Sequence, residues 1–94
     1  MSASTKAFTG GVGTTATTFT VTWAAATPPT GYVFDVQIRR PGAAFVGWKT
    51  GVTSRTASFT PDAGTGTYSF RARLRNIANG ATSNYSGAKS ISVS

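Results

Sequence analysis

Six arginines carry most of the chemistry available to this chain, and three of them recur at alternate positions. From Tyr68 to Asn76 the residues alternate strictly: Tyr68, Phe70, Ala72 and Leu74 point one way, and Ser69, Arg71, Arg73 and Arg75 the other. A period of two is the signature of a β-strand. One face of this segment is therefore expected in a core, with an arginine ladder on the other. Such a ladder suits polyanions or acidic glycans; its guanidinium planes also stack on aromatic rings, each contact contributing about 0.5–1 kcal/mol when exposed.

Catalytic chemistry has little to work with. The chain has no His, no Cys and only two carboxylates, Asp35 and Asp62, on separate segments. General acid–base catalysis needs a group titrating near the working pH, and a nucleophilic serine needs an adjacent base. The lysines at 6, 49 and 89 are scattered. Zinc takes His or Cys, and hard cations take several oxygen ligands. No catalytic residue, metal site or cofactor is expected, and the chain is read as a non-enzyme.

The 94 residues suit one domain, residues 1–94, with 1–5 expected to fray. One Leu, three Ile and seven Val stand against six Phe, three Tyr and two Trp, while Ala, Gly, Ser and Thr fill 52 positions. With no Glu and a single Gln, the composition favours pleated, half-buried surfaces over long helices. The class is all-β. Residues 1–20 hold no apolar run of the length a secretory leader needs. Any export signal is expected outside this chain, and no membrane insertion is expected.

Turn chemistry divides the sequence into short strands. Lys6 to Thr9 is a candidate first strand around Phe8, and Gly10-Gly11-Val12-Gly13 reads as a flexible turn rather than a phosphate cradle, since no helix pattern follows. Thr18 to Trp23 alternates, with Phe19, Val21 and Trp23 inward; Pro28-Pro29 ends it. Tyr32, Phe34, Val36 and Ile38 form the next inward series, with Val33, Asp35, Gln37 and Arg39 outward, up to the turn at Arg40-Pro41-Gly42. Strands are expected over Phe45 to Lys49, closed by Gly51, and over Arg55 to Thr60. The arginine strand is followed by Asn79-Gly80, a hairpin signal in which both residues tolerate positive φ. A last strand is expected from about Thr82 to Val93. Seven strands at this spacing point to a sandwich or small barrel.

Four landmarks resemble a fibronectin type III domain of bacterial type: Val21-Thr22-Trp23, Gly31-Tyr32-Val33-Phe34 followed by Val36, Gly66-Thr67-Tyr68-Ser69-Phe70-Arg71-Ala72-Arg73, and Ser83-Asn84-Tyr85-Ser86. The resemblance spans about Phe8 to Val93. It implies a seven-stranded immunoglobulin-like sandwich of two antiparallel sheets, three strands against four. The implied core is Phe19, Val21, Trp23, Tyr32, Phe34, Val36, Tyr68, Phe70 and Leu74, with the Tyr68 hydroxyl bonding backbone in the loop before its strand. One departure is that Phe59-Thr60-Pro61 stands further from Tyr68 than the Leu-x-Pro of the family.

The implied sheet order places Arg39, Asp35 and Tyr85 beside Arg71, Arg73 and Arg75. Tyr85-Ser86 is similar in position to the Trp-Ser of cytokine-receptor domains, where an arginine–aromatic ladder forms. Trp48 is a further candidate, for sugar stacking if exposed, although its parity with Val46 suggests partial burial. Asn84-Tyr85-Ser86 also fits a glycosylation sequon.

Three functions remain open. The first is a spacer or protein- or carbohydrate-binding module of a bacterial extracellular or surface protein, often appended to a polysaccharide-degrading enzyme. The second is display on a virion or cell surface with binding to host glycans. The third is polyanion binding through the basic face, with nucleic acid the less favoured partner; the net charge of +7 supports it. The isolated domain is expected to be monomeric.

Overall fold

The computed structural model describes residues 12–14 and 18–94. The candidate strand at Lys6 to Thr9 lies outside them. The described residues are all-β, without helix, and comprise β1 (Val12–Gly13), β2 (Phe19–Thr22), β3 (Tyr32–Arg39), β4 (Val46–Val52), β5 (Thr56–Phe59), β6 (Gly66–Asn76) and β7 (Lys89–Val93). One sheet runs β1-β7-β6-β3-β4 and the other pairs β2 with β5. Four strands of the larger sheet are antiparallel neighbours; β1 adds two residues in parallel to β7, Val12 opposite Ser92 and Gly13 opposite Val93. This corrects two expectations. Val12-Gly13 pairs as a strand rather than serving as a turn, and the described strands divide five and two.

The sheets close on one core. Phe19, Val21, Trp23, Phe34, Val36, Ile38, Phe59, Tyr68, Phe70, Ala72, Ile91 and Val93 are buried together. Aromatic rings span the gap: Phe59 on β5 lies 5.3 Å from both Tyr68 and Phe70 on β6, and 5.8 Å from Trp48 on β4. Two of these contacts are edge-to-face and that with Tyr68 is tilted; aromatic pairs add roughly 0.5–1.5 kcal/mol each beyond area burial. Two expected core residues fall short. Leu74 packs only partly against the core, and half-buried Tyr32 lies outside it. The cause is length: β6 has eleven residues and β3 eight, whereas β2 and β5 have four each. The long strands overhang the short sheet, and Tyr32 and Leu74 sit near that end.

On β4 the alternation breaks. Its register against β3 shifts twice, so that Gly51 and Trp48 are the extra residues of two bulges. A bulged residue is re-aimed relative to its neighbours. Trp48 accordingly turns into the core, 6.1 Å from Trp23 and 5.1 Å from Phe70, while Val46 is 49% exposed. The partial burial expected of Trp48 holds, but the bulge produces it and not parity with Val46. Gly51 has φ 68°, within the region that favours glycine, and continues the strand to Val52 instead of ending it.

The connections follow their residues. Pro41 and Gly42 (φ 73°) occupy the centre of a turn closed by Ala43 N donating to Arg40 O at 3.0 Å. The turn after β6 is wider than a two-residue hairpin: Gly80 N donates to Asn76 O, Asn76 N donates to Ala81 O, and only Gly80, not Asn79, has positive φ. Between Thr82 and β7 the chain is irregular, yet serines keep it beside β6. Ser83 N and Ser86 N donate to the carbonyls of Leu74 and Ala72, and the two serine hydroxyls accept from Leu74 N and Ala72 N. The expected last strand is therefore a serine strap followed by five residues of true strand.

The Tyr68 hydroxyl accepts from Ala63 N and donates to Gly64 O, both at 2.8 Å. Tyr68→Phe is expected to lower stability by about 1–3 kcal/mol, because both backbone groups lose a partner, measured by urea unfolding monitored by circular dichroism. Gly66 has φ 133°, and a Cβ there would lie 2.7 Å from Pro41 Cβ. Gly66→Ala is therefore expected to destabilise more than Gly64→Ala, where the same substitution meets open space; equal losses in melting temperature would contradict this.

Candidate functional site

The outer face of the larger sheet gathers the predicted basic residues. Strand pairing sets Arg39 opposite Ser69, Gln37 opposite Arg71, Asp35 opposite Arg73 and Val33 opposite Arg75. The serine strap lays Tyr85 over this row. Arg71 is stacked 4.4 Å from the Tyr85 ring centre and 4.0 Å from that of Phe45, while Arg73 lies 4.8 Å from Tyr85 and Arg39 5.0 Å from Phe45. The result is an alternating series of guanidiniums and rings, Arg39, Phe45, Arg71, Tyr85 and Arg73. Stacking covers the apolar faces of the rings and leaves guanidinium edges free to donate.

The structure brings Arg39, Arg71, Arg73, Arg75 and Tyr85 onto one face, and removes Trp48 from it. Trp48 is half-buried and packs against the core on the opposite side of the sheet, with Lys49 Nζ 5.2 Å from its ring centre. The second ring of the stack is Phe45, which alternation does not reveal because Phe45 precedes β4 and follows no strand parity. The proximity of Phe45 to the Arg40-Pro41-Gly42 turn, which folds it back over β3, was the available signal.

Asp35 is not the exposed outward carboxylate that alternation suggests. It is only 6% exposed, and Val33, on the same outer side, only 7%. Arg75 Nε and Nη2 donate to its two oxygens at 3.0 and 3.3 Å, Arg73 Nε donates at 3.4 Å, and Gly51 N donates at 3.1 Å. The bulge at Gly51 supplies that amide and leaves room for Arg75, whose Nη2 would lie 3.3 Å from a Cβ at this position. Burial pushes the Asp35 carboxyl upward, but the bonds from Arg75, Gly51 and Arg73 outweigh it and hold the group below the usual carboxylate range.

The remaining partners are neutral or distant. Arg71 Nε donates to Gln37 Oε1 at 2.7 Å. Arg39 Nη2 reaches Ser69 Oγ at 3.4 Å, and Ser69 Oγ is bonded to Ser90 Oγ at 2.8 Å. Asp62 is engaged elsewhere, in a two-bond pair with Arg40 at 2.7 and 2.8 Å that lowers its pKa. Beside Arg39 a shallow cleft of about 390 Å³ opens, lined by Arg39, Arg40, Pro41, Gly42, Ala43 and Thr67. The sequence matches no protein-family model and no curated protein.

Both carboxylates have depressed folded-state pKa values. Their stabilisation is complete above the unfolded value of about 3.9 and is lost as pH falls through the folded values. With no His or Cys in the chain, the melting temperature is expected to be level from about pH 5 to 8 and to fall below about pH 4. Asp35→Asn should reduce that acid drop, leaving the part due to Asp62. Thermal melts by circular dichroism across this range measure it, and an unchanged acid drop in the variant would refute the role of Asp35.

Proposed function

We propose that the chain is a non-catalytic, seven-stranded immunoglobulin-like module of the fibronectin type III kind, serving as a spacer or interaction domain of a bacterial extracellular or surface protein. The carrying observation is that both side-chain carboxylates are engaged in scaffolding: Asp35 holds β3 to β6 through Arg73 and Arg75, and Asp62 clamps Arg40 beside the β3–β4 turn. Neither is left as a general acid or base beside a cleft. The two-sheet arrangement, the Tyr68 hydroxyl on the 63–64 backbone and the strap at Ser83 and Ser86 support the family reading.

A second reading is favoured by one further observation: Arg39 and Arg71 face outward with no carboxylate partner, since Asp35 and Asp62 are the only two in the chain. That surplus supports contact with an anionic partner, whether the parent protein resides at a cell surface or on a virion.

The purified chain is expected to sediment as a monomer, to unfold in one cooperative transition, and to turn over no chromogenic glycoside, ester or phosphate. Turnover that disappears in Asp35→Asn or Asp62→Asn, with the fold retained, would overturn the non-catalytic assignment.

A further inference from the structure

The arginine face is divided electrically into two halves. Arg73 and Arg75 converge on one buried carboxylate, Asp35, which cancels one of their two charges and takes up donor nitrogens of both. Arg39 and Arg71, at the other end, bond only the uncharged Ser69 and Gln37. Both stack on the Phe45 ring, at 5.0 and 4.0 Å, which gathers them around one ring before any ligand arrives. Pre-organisation of this kind lowers the conformational entropy lost on binding.

We propose that Arg39 and Arg71 form a site for the carboxylates of an acidic polysaccharide, a polyuronate, lying along the outer sheet face toward the cleft beside Arg39. The inference rests on the second reading above and assigns it a place and a ligand class. Arginine, rather than lysine, matches a planar carboxylate through two parallel N–H donors. Arg71 has its planes covered by Phe45 and Tyr85 and its Nε committed to Gln37, which leaves its two terminal nitrogens as the donor edge. Single-stranded nucleic acid is disfavoured because bases need open aromatic platforms, and Phe45 and Tyr85 are each already stacked with two guanidiniums. Two free charges bind one carboxylate pair weakly. A polymer repeating that group multiplies the contact. Asp35 sets the extent of the site by withholding Arg73 and Arg75 from it.

Affinity electrophoresis at low salt through gels containing polygalacturonate, its carboxyl-reduced neutral form, or a single-stranded oligonucleotide tests this. Polygalacturonate is expected to retard the chain and the neutral polymer to leave it unaffected. Arg39→Ser with Arg71→Ser should weaken retention about tenfold, each exposed pair contributing a few-fold. Asp35→Asn should strengthen it by releasing two guanidiniums. Arg39→Lys, which keeps the charge and spares the fold, should weaken retention by polygalacturonate. Undiminished retention in the folded double variant, or equal retention by the neutral polymer or by the oligonucleotide, would overturn the assignment while leaving an interaction role elsewhere on the chain. Failure of every polymer to retard the chain would remove the anionic-partner reading along with it.

Discussion

Phe59 is the ring on which the two layers meet. It comes from the four-residue strand of the smaller sheet and touches Tyr68, Phe70 and Trp48 of the larger one. A chain with one Leu and three Ile has few aliphatic side chains to fill the space between sheets, so aromatic rings must do it. Large-to-small changes of buried rings typically cost about 3–5 kcal/mol, a large share of the stability of a domain this size. The rings also determine how far the core extends. Where the short sheet stops, burial stops, and Tyr32 and Leu74 fall at the margin.

The outer face has a parallel logic in charge. A buried carboxylate is costly unless it is paired and hydrogen-bonded, and Asp35 receives four donors from three directions. Those donors come from β6 and from a bulge in β4, so one side chain on β3 ties three neighbouring strands together. Rings from outside the regular strands, Phe45 and Tyr85, then cover the guanidinium planes. The face is a set of stacked or paired guanidiniums, in which Arg73 and Arg75 donate inward to Asp35 while Arg39 and Arg71 meet no carboxylate, a different surface from a row of lysines.

The strongly periodic parts of the chain were legible from sequence. Alternation spans β3 from Tyr32 to Arg39, its observed ends, and the inward set Phe19, Val21, Trp23, Phe34, Val36, Tyr68 and Phe70 is buried together, because alternation encodes directly which face a side chain occupies. Five features were not legible in that way. Trp48 turns inward through a bulge, and a bulge is a one-residue offset that strict alternation cannot express. Asp35 is buried because cations on the next strand and an amide from a glycine close over it, which is a tertiary effect. Phe45 and the Ser83–Ser86 strap act from irregular backbone, where periodicity carries no information. The pairing of Val12-Gly13 depends on Ser92-Val93 of β7, far along the chain, and glycine-rich local composition points instead to a turn.

The two-residue pairing of β1 with β7 has a mechanical meaning. The strands are parallel, one near the beginning of the described chain and the other near its end. Tension transmitted through the polypeptide on either side would draw Val12-Gly13 and Ser92-Val93 in opposite directions along their common axis. The hydrogen bonds between them are then loaded in shear and must rupture together, whereas a hairpin pulled from its open end unzips one bond at a time. That geometry resists separation of the two strands along their shared axis.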